Sequence, residues 1–456
     1  FDDNDVSIIA KFSRAPKLYS KLEQALEAAN DKVFSTGSQV KLWLQSNAGK
    51  LGIKKDEIYW SGIDNWLDAQ GKVSKQQVVE FVRNNGVRVE DVTLGGDKEF
   101  NAIRDKLDRM LLDELEDRPV DKDEQASLEK QLHEIKNTEP KHNNDKLTLP
   151  GGTDYKELVV TIPTTEKYNE SDDTHFGDTG QGKQIGWLRM DTRDGGLFIE
   201  ELQSQRAQQG RSKGFVNKLS DAEMARYKRL SHRALANLAN SEYREPLSLQ
   251  ERDELVSFRN RGEGIPPAPF VSDANNKATN AYITLLMKKA LIEAVNNDHT
   301  SVSWTTGDQQ ADRYDLSKQI SRVKYFLDNH TLMAFDSDSE IVLNKKNVPE
   351  NEIQDYIGKD ATHKLLESTP RKGTTGRLIK SLEGVELKAG GEWAQSMYGN
   401  EQGLNLQGKP SLISQAANDI FKHVGSGKVE SINGQPGFYV TPEMRSKDLP
   451  LFSKVA

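Results

Sequence analysis

The stretch "QIGWLRMDTRDGGLFIEELQ", residues 184–203, carries the plainest structural signal of the chain. Two runs of aliphatic and aromatic residues flank Asp194, Gly195 and Gly196. An Asp-Gly pair between such runs marks a tight antiparallel turn. The stretch is therefore read as a hairpin with strands "QIGWLRMDT" and "GLFIEELQ". "YKELVVTIP" (155–163) adds a strand before it, and a Gly- and Arg-containing loop, "SQRAQQGRSKGF" (204–215), follows it.

Downstream the elements alternate. "SDAEMARYKRLSHRALANLANSEY" (220–243) reads as a helix with Ser220 and Glu223 as a capping box. "RNRGEGIPPAPFVSD" (259–273) is a loop, and "NAYITLLMKKALIEAVNN" (280–297) reads as an amphipathic helix. "TSVSWTTG" (300–307) is a buried strand, followed by a helix, "DQQADRYDLSKQIS" (308–321), capped by Asp308. "RVKYFLD", "TLMAFDS" and "EIVLNK" read as strands, "ISQAANDIFKHV" (413–424) as a late helix and "GFYVTPEMR" (437–445) as a closing strand.

Upstream the pattern is helical. "SKLEQALEAA" (20–29) sets Leu22, Ala25, Leu26 and Ala29 at helical spacing, and "VKLWLQ" (40–45) starts a second helix. "KDEIYWSGIDNWL" (55–67) is an aromatic-rich helical pair whose tryptophans read as core. "VSKQQVVEFVRNNG" (73–86) has Ser74 as N-cap and Gly86 past its end, and "VRVEDVTL" (87–94) alternates like a strand. Residues 97–146 are charge-dense and helical, closed by the helix-breaking "NTEPKHNND" (137–145). The expected organisation is a small helical domain (1–94), a charged helical arm or linker (95–146) and a mixed-sheet α+β or α/β domain (147–456) with an insertion at about 216–275. No internal repeat is read.

Composition sets limits. The 456 residues carry 62 Lys and Arg against 70 Asp and Glu, for a net charge of −8. That balance argues against nucleic-acid binding through bulk charge. No run of about 18 apolar residues is present, so no membrane span is expected. No N-terminal basic-then-apolar leader is read either. Cys is absent, which removes disulfides, thiolate metal sites and Cys nucleophiles. One reading of that absence is compositional drift, and another is a chain that moves and refolds without cross-linking. Phe at position 1 reads as a fragment or processed chain. The eight His form no paired zinc motif, so no metal site is expected, and His175 reads as structural.

Two segments carry the site candidates. At the end of the second hairpin strand, Gln203 and Ser204 lead into Gly210, Arg211, Lys213 and Gly214. Glycine lets backbone N–H groups approach an anion and Arg offers bidentate phosphate contacts, so this loop is a candidate phosphate or pyrophosphate site. The plainer reading is a surface loop. Glu200 and Glu201 are neighbours on a strand and so face opposite sides. Glu201 is taken as the candidate general base, against a plainer reading of one core-edge and one solvent Glu. In the other segment Thr305 and Thr306 end a strand, and Gln309, Gln310, Arg313 and Tyr314 follow on a helix. Ligands of α/β sheets bind at such strand ends, and the plainer reading is a cap with surface glutamines.

"LPGGTDYKELVVTIP", "HFGD", "IGWLRM", "LFIEELQSQRAQQGRSKGF", "APF", "WTTGDQQADRYDLSKQI", "YVTPEMR" and "LPLFSK" occur in one order. That order resembles a domain of the large polyvalent proteins of tailed bacteriophages and conjugative elements. "FSRAPKLYSKLEQALE", "WLQS" and "EIYWSGIDNWLDAQGKVSKQQVVEFVRNN" resemble the helical module that precedes that domain. The likeness covers most of 12–94 and 147–453. It implies a viral protein of the virion interior, ejected with the DNA into the host cytoplasm for host takeover. The implied partners are other virion proteins, other domains of the same long chain, and a host protein target. Where the family reads Gln-Ser-Asp-Trp-His-Gln, this chain has Gln205, Arg206 and Ala207 in place of Asp, Trp and His. The ligand cleft is thus expected to be degenerate if those residues are catalytic in relatives.

"GRSKGFVNKL" (210–219) is also similar to the pyrophosphate loop of GNAT-type N-acyltransferases. Arg211 and Gly214 fit, whereas Val216 stands where Gly or Ala is expected. This likeness implies acetyl-CoA as cofactor and Tyr314 as the acid protonating the leaving thiolate. A third reading is a purely structural ejection or core protein. On the first reading the cofactor is unknown.

Overall fold

A computed structural model describes residues 16–95, 103, 106–107, 109–110, 120–134, 140–143, 148–163, 182–216, 221–238, 247–262, 264–313, 320–336, 339–357, 359–373, 376–383 and 391–453. The fold is α+β with more than one sheet. The chain forms two compact units. One is drawn from Phe1–Val302, Gln415–Lys428 and Tyr439–Ala456, and the other from Ser303–Ser414 and Val429–Phe438.

The first unit opens with β1 (Leu18–Tyr19) and the helices α1 (Lys21–Ala28), α2 (Gly37–Leu51), α3 (Lys55–Ser61), α4 (Ile63–Asp68) and α5 (Lys75–Asn85). Their starts follow local chemistry. Ser20 and Thr36 accept backbone N–H groups as N-caps, and Ser74 and Gln77 form a reciprocal capping box. Leu22, Leu26, Val40, Leu44, Ile63, Leu67, Val78 and Val82 make one core, with Trp43 and Trp66 packed against it. Trp66 stacks on Phe81 at 4.5 Å between ring centroids. Trp60 is only half-buried.

β2 (Glu90–Gly95) and α6 (Lys122–Glu134) lead to β3 (Thr153–Ile162), β4 (Lys183–Arg193) and β5 (Gly196–Gln203). These strands lie in the order β2-β3-β4-β5, each pair antiparallel. The hairpin turn has Asp194 at φ 48° and Gly195 at φ 75°. Two consecutive left-handed residues match the twist of the flanking strands. Then come α7 (Gln205–Lys213), α8 (Asp221–Leu238), α9 (Leu249–Gly262) and α10 (Ala281–Asn296). α8 and α9 share a small core of Leu230, Leu247 and Phe258. Ser220, read as the cap of α8, lies outside the described residues.

α10 is not amphipathic as its sequence suggested. Every residue from Tyr282 to Leu291 is buried, Lys288 and Lys289 included. The helix lies against β4 and β5, where Lys289 pairs with Asp91 and Lys156 with Glu293. Lys288 serves the closing segment of the chain. A helix covered on all sides loses its polar stripe and pairs its charges instead. β6 (Ser301–Trp304) carries the chain into the second unit.

That unit holds α11 (Gly307–Arg313), β7 (Arg322–Phe326), β8 (Thr331–Phe335), β9 (Ile341–Lys345), α12 (Lys359–Glu367), β10 (Arg371–Lys372), β11 (Leu378–Glu383) and α13 (Gly391–Tyr398). The sheet order is β10-β11-β7-β8-β9, antiparallel throughout. Val323, Tyr325, Leu332, Ala334, Leu365 and Leu382 are buried in its core. After α14 (Leu412–Val424) the strands β12 (Glu430–Ile432) and β13 (Gln435–Tyr439) form a hairpin. α15 (Pro442–Ser446) and β14 (Leu449–Pro450) close the chain, β14 pairing in parallel with β1. The segment read as one closing strand over 437–445 is thus strand and then helix, because Thr441 caps a turn with Pro442 at its start.

Candidate functional site

The segment after β5 is a helix, not a loop. Ser204 is fully buried and caps α7, its hydroxyl accepting from the Ala207 N–H at 3.1 Å and donating to the Ile185 carbonyl. Gln203 is half-buried opposite Trp187. Gly210 lies inside the helix, and a Cβ added there would come 2.0 Å from the Phe215 ring. Its missing side chain makes room for that ring. Gly214 ends the helix at φ 78°, its N–H donating to the Gly210 carbonyl at 3.0 Å. Helix formation and packing therefore use the glycines that were expected to open a phosphate cradle. Arg211 is exposed, donates to Asn280 Oδ1 at 2.9 Å and lies over the Tyr282 ring. Lys213 is in the last turn of α7, and its side chain lies outside the described residues.

Gln205, Arg206 and Ala207 form the first turn of α7. Gln205 is half-buried and Ala207 is fully buried. Arg206 is 3% exposed and donates to the Pro266 carbonyl at 2.9 Å. No acid and no imidazole stands in that turn.

Beside this junction runs a row of buried charges. Arg189 is paired with Glu201 and Met190 with Ile199, so Glu200 is the extra residue of a β-bulge. Arg189, Asp191 and Arg193 alternate along β4 and so share one face. Glu201 accepts from Arg189 Nε at 2.9 Å, and Glu200 accepts from Arg193 at 2.6 Å. Both glutamates thus meet side chains on the same face of β4, and both are buried, 0% and 3% exposed. The expectation of opposite faces, with one Glu in solvent, fails because the bulge breaks the two-residue period. Glu201, the candidate general base, is held by a guanidinium.

The row continues across β3. Glu157 is fully buried and accepts from the Lys141 and His142 backbone N–H groups, at 2.9 and 2.7 Å, and from Tyr155 Oη at 3.1 Å. Burial pushes the Tyr155 pKa far up, and the Glu157 charge adds to the rise against a smaller opposing pull from Arg189. Around Arg193 burial opposes the charge, but Asp191 and Glu200 outweigh it and raise its pKa. The shared hydrogen bonds fix these side chains against one another. Sequence reasoning missed Glu157, Arg189, Asp191 and Arg193. The signal present was an Arg-x-Asp-x-Arg alternation inside a run otherwise apolar.

In the second unit Trp304 is fully buried and donates to the Tyr398 carbonyl at 3.0 Å. Thr305, also fully buried, accepts from Gln310 Nε2 at 2.7 Å. Thr306 caps α11: its hydroxyl accepts from the Gln309 N–H, while Gln309 Oε1 accepts from the Thr306 N–H. Asp308, expected as the cap, accepts instead from Gln395 Nε2 at 2.7 Å. Thr306 takes the role because it precedes the helix by one residue with Gln309 three positions on. Arg313 is half-buried in the last turn, and Tyr314 lies outside the described residues. The candidates at 203–214 and at 305–313 belong to different units.

Two features were not read from the sequence at all. "NEQG" (400–403) and "NLQG" (405–408) are tandem turns of one geometry. Each Asn Oδ1 accepts the N–H groups two and four residues on, at 3.0 Å, and each Gly has φ near 70°. The other is Lys288, whose ammonium donates to the carbonyls of Pro450 and Leu451 and to Ser453 Oγ. It lines a small pocket with Asp56, Thr284, Phe270 and Phe452. Burial lowers its pKa to about 7.

Among the described residues no group of three or more His, Asp or Glu is arranged to hold a metal ion, and no helix is long and apolar enough to cross a membrane. No protein-family model, no curated protein and no solved structure matches this chain.

Proposed function

We propose that this chain is a module of a large polyvalent protein of a bacteriophage. In this reading it is carried in the virion interior and delivered with the DNA into the host cytoplasm. There it serves as a binding or structural body whose strand-to-helix site is degenerate. The ordered set of motifs supports the family. The single observation that carries the loss of chemistry is the first turn of α7, where Ala207 is buried and the Arg206 guanidinium is bonded to the Pro266 carbonyl. An acid–base step needs a titratable group within reach of substrate, and this turn offers a backbone-bound guanidinium and a methyl group.

Two measurements test the reading. Proteomics of purified particles is expected to find the chain inside the virion, and absence defeats the packaging claim. A thermal-shift series with acetyl-CoA, CoA, NAD and ATP tests the chemistry. No shift supports a degenerate site. Stabilisation by acetyl-CoA and CoA alone, lost in Gly214→Asp, overturns it in favour of a GNAT-like acyltransferase.

A further inference from the structure

Among the described residues the five-stranded sheet of the second unit ends on β9. Glu340, Asn344, Lys345 and Lys346 along this edge are exposed, and Ile341 and Val342 are each 54% exposed. Leu343 alone packs back onto the core. A sheet edge presents a row of N–H and C=O groups that templates pairing with another strand.

Charges placed along an edge strand normally oppose such pairing. In β9 they sit only at its two ends, and they have opposite signs. Glu340 precedes the apolar Ile341, Val342 and Leu343, and Lys345 and Lys346 follow them. Val342 is also the extra residue of a bulge, since Leu343 pairs with Ala334 and Ile341 with Phe335. It therefore has no counterpart on β8.

We propose that β9 is a self-association edge, on which a second copy of this chain adds its own β9 in antiparallel register. Reversing the strand about Leu343 brings Leu343 opposite its own counterpart and Glu340 opposite Lys346 of the second copy. Two-fold symmetry makes the charged pair twice. A parallel arrangement stacks like charges, which is destabilising. A second copy is the occupant because the order acid, apolar, base is complementary to its own reverse. The result is one continuous sheet twice as wide, joined by main-chain hydrogen bonds with a short apolar centre.

The test is sedimentation velocity of the full chain across a concentration series. The wild-type chain is expected to dimerise reversibly. Glu340→Lys alone, and Lys345→Glu with Lys346→Glu, are each expected to weaken the dimer by about threefold to thirtyfold, because two cross-strand pairs turn repulsive. The triple variant Glu340→Lys, Lys345→Glu, Lys346→Glu restores complementarity with inverted signs and is expected to recover wild-type affinity. These positions are exposed, so circular dichroism should show an unchanged fold. A monomer at every concentration overturns the proposal. So does a dimer indifferent to these charges, or a triple variant as weak as the others.

Discussion

Replacing Lys288 by Met separates the proton balance of the fold from its packing. The ammonium sits on the buried helix α10 and is bound by two carbonyls and one hydroxyl, all neutral acceptors. Burial therefore dominates and lowers its pKa from 10.5 to about 7, while the Asp419 and Glu57 charges pull it upward and Lys54 pushes it further down. In an unfolded chain the same amine titrates near 10.4. Between those values the unfolded chain binds a proton that the folded chain lacks. Stability then rises with pH by about 1.4 kcal/mol per unit. The gain is complete above about pH 10.5 and is lost as the pH falls towards 7, and below that both states are protonated and the slope vanishes. Over the whole window the term is on the order of 5 kcal/mol. Lys288→Met has no proton to exchange, and it leaves the Pro450 and Leu451 carbonyls without this donor at every pH. The difference between wild-type and variant curves removes the contribution of titrating groups that do not interact with Lys288. Urea unfolding from about pH 6 to about pH 10.5 reads that difference directly. Parallel curves for the two proteins refute the reasoning.

Three other substitutions probe the sheet and its caps. Arg189→Met leaves Glu201 buried without its guanidinium and is expected to cost about 3–5 kcal/mol in unfolding free energy, most of it regained when Glu201→Leu is added. Gly210→Ala drives a methyl group into the Phe215 ring, so calorimetry should show a loss of about 1–3 kcal/mol, relieved by Phe215→Leu. Thr306→Ala removes the α11 cap and should lower stability by about 1 kcal/mol. Thr306→Ser should recover most of that loss, and no recovery argues against the hydroxyl as the cause.

Elements governed by local chemistry were legible in the sequence. The hairpin at 184–203 was visible because its turn needs two left-handed residues and Asp194-Gly195 supplies them. The N-terminal helices were visible because their caps and apolar spacing lie within a few positions of each other. What failed depended on distant partners. Helix α10 looked amphipathic because Lys288 and Lys289 are charged, yet the chain meets Lys288 with residues 450–453 and Lys289 with Asp91. The segment 205–213 looked like a loop because Gly210 within it and Gly214 after it are poor markers of a helix. What favours the helix is the Ser204 cap and the Phe215 ring that fills the space over Gly210. The tandem Asn turns do not stand out in the sequence because a four-residue motif recurring once, five positions on, is too short to register as a repeat.

The buried acids on the sheet face also explain a connector that reads as a break. "NTEPKHNND" interrupts helix, and composition alone calls it a linker. Yet Glu157 binds the amides of Lys141 and His142, Glu200 binds the amide of Leu149, and Arg193 binds the carbonyls of Leu149 and Pro150. Each backbone group so bound is one that irregular chain leaves without a partner in a repetitive element. A carboxylate accepts several such donors at once where a neutral side chain accepts fewer. Glu157 and Glu200 thus fasten non-repetitive chain to a sheet, and the bulge at Glu200 lets its neighbour Glu201, the catalytic candidate, serve the same face bound to Arg189. A carboxylate engaged in that way is a poor general base however suggestive its place in the sequence.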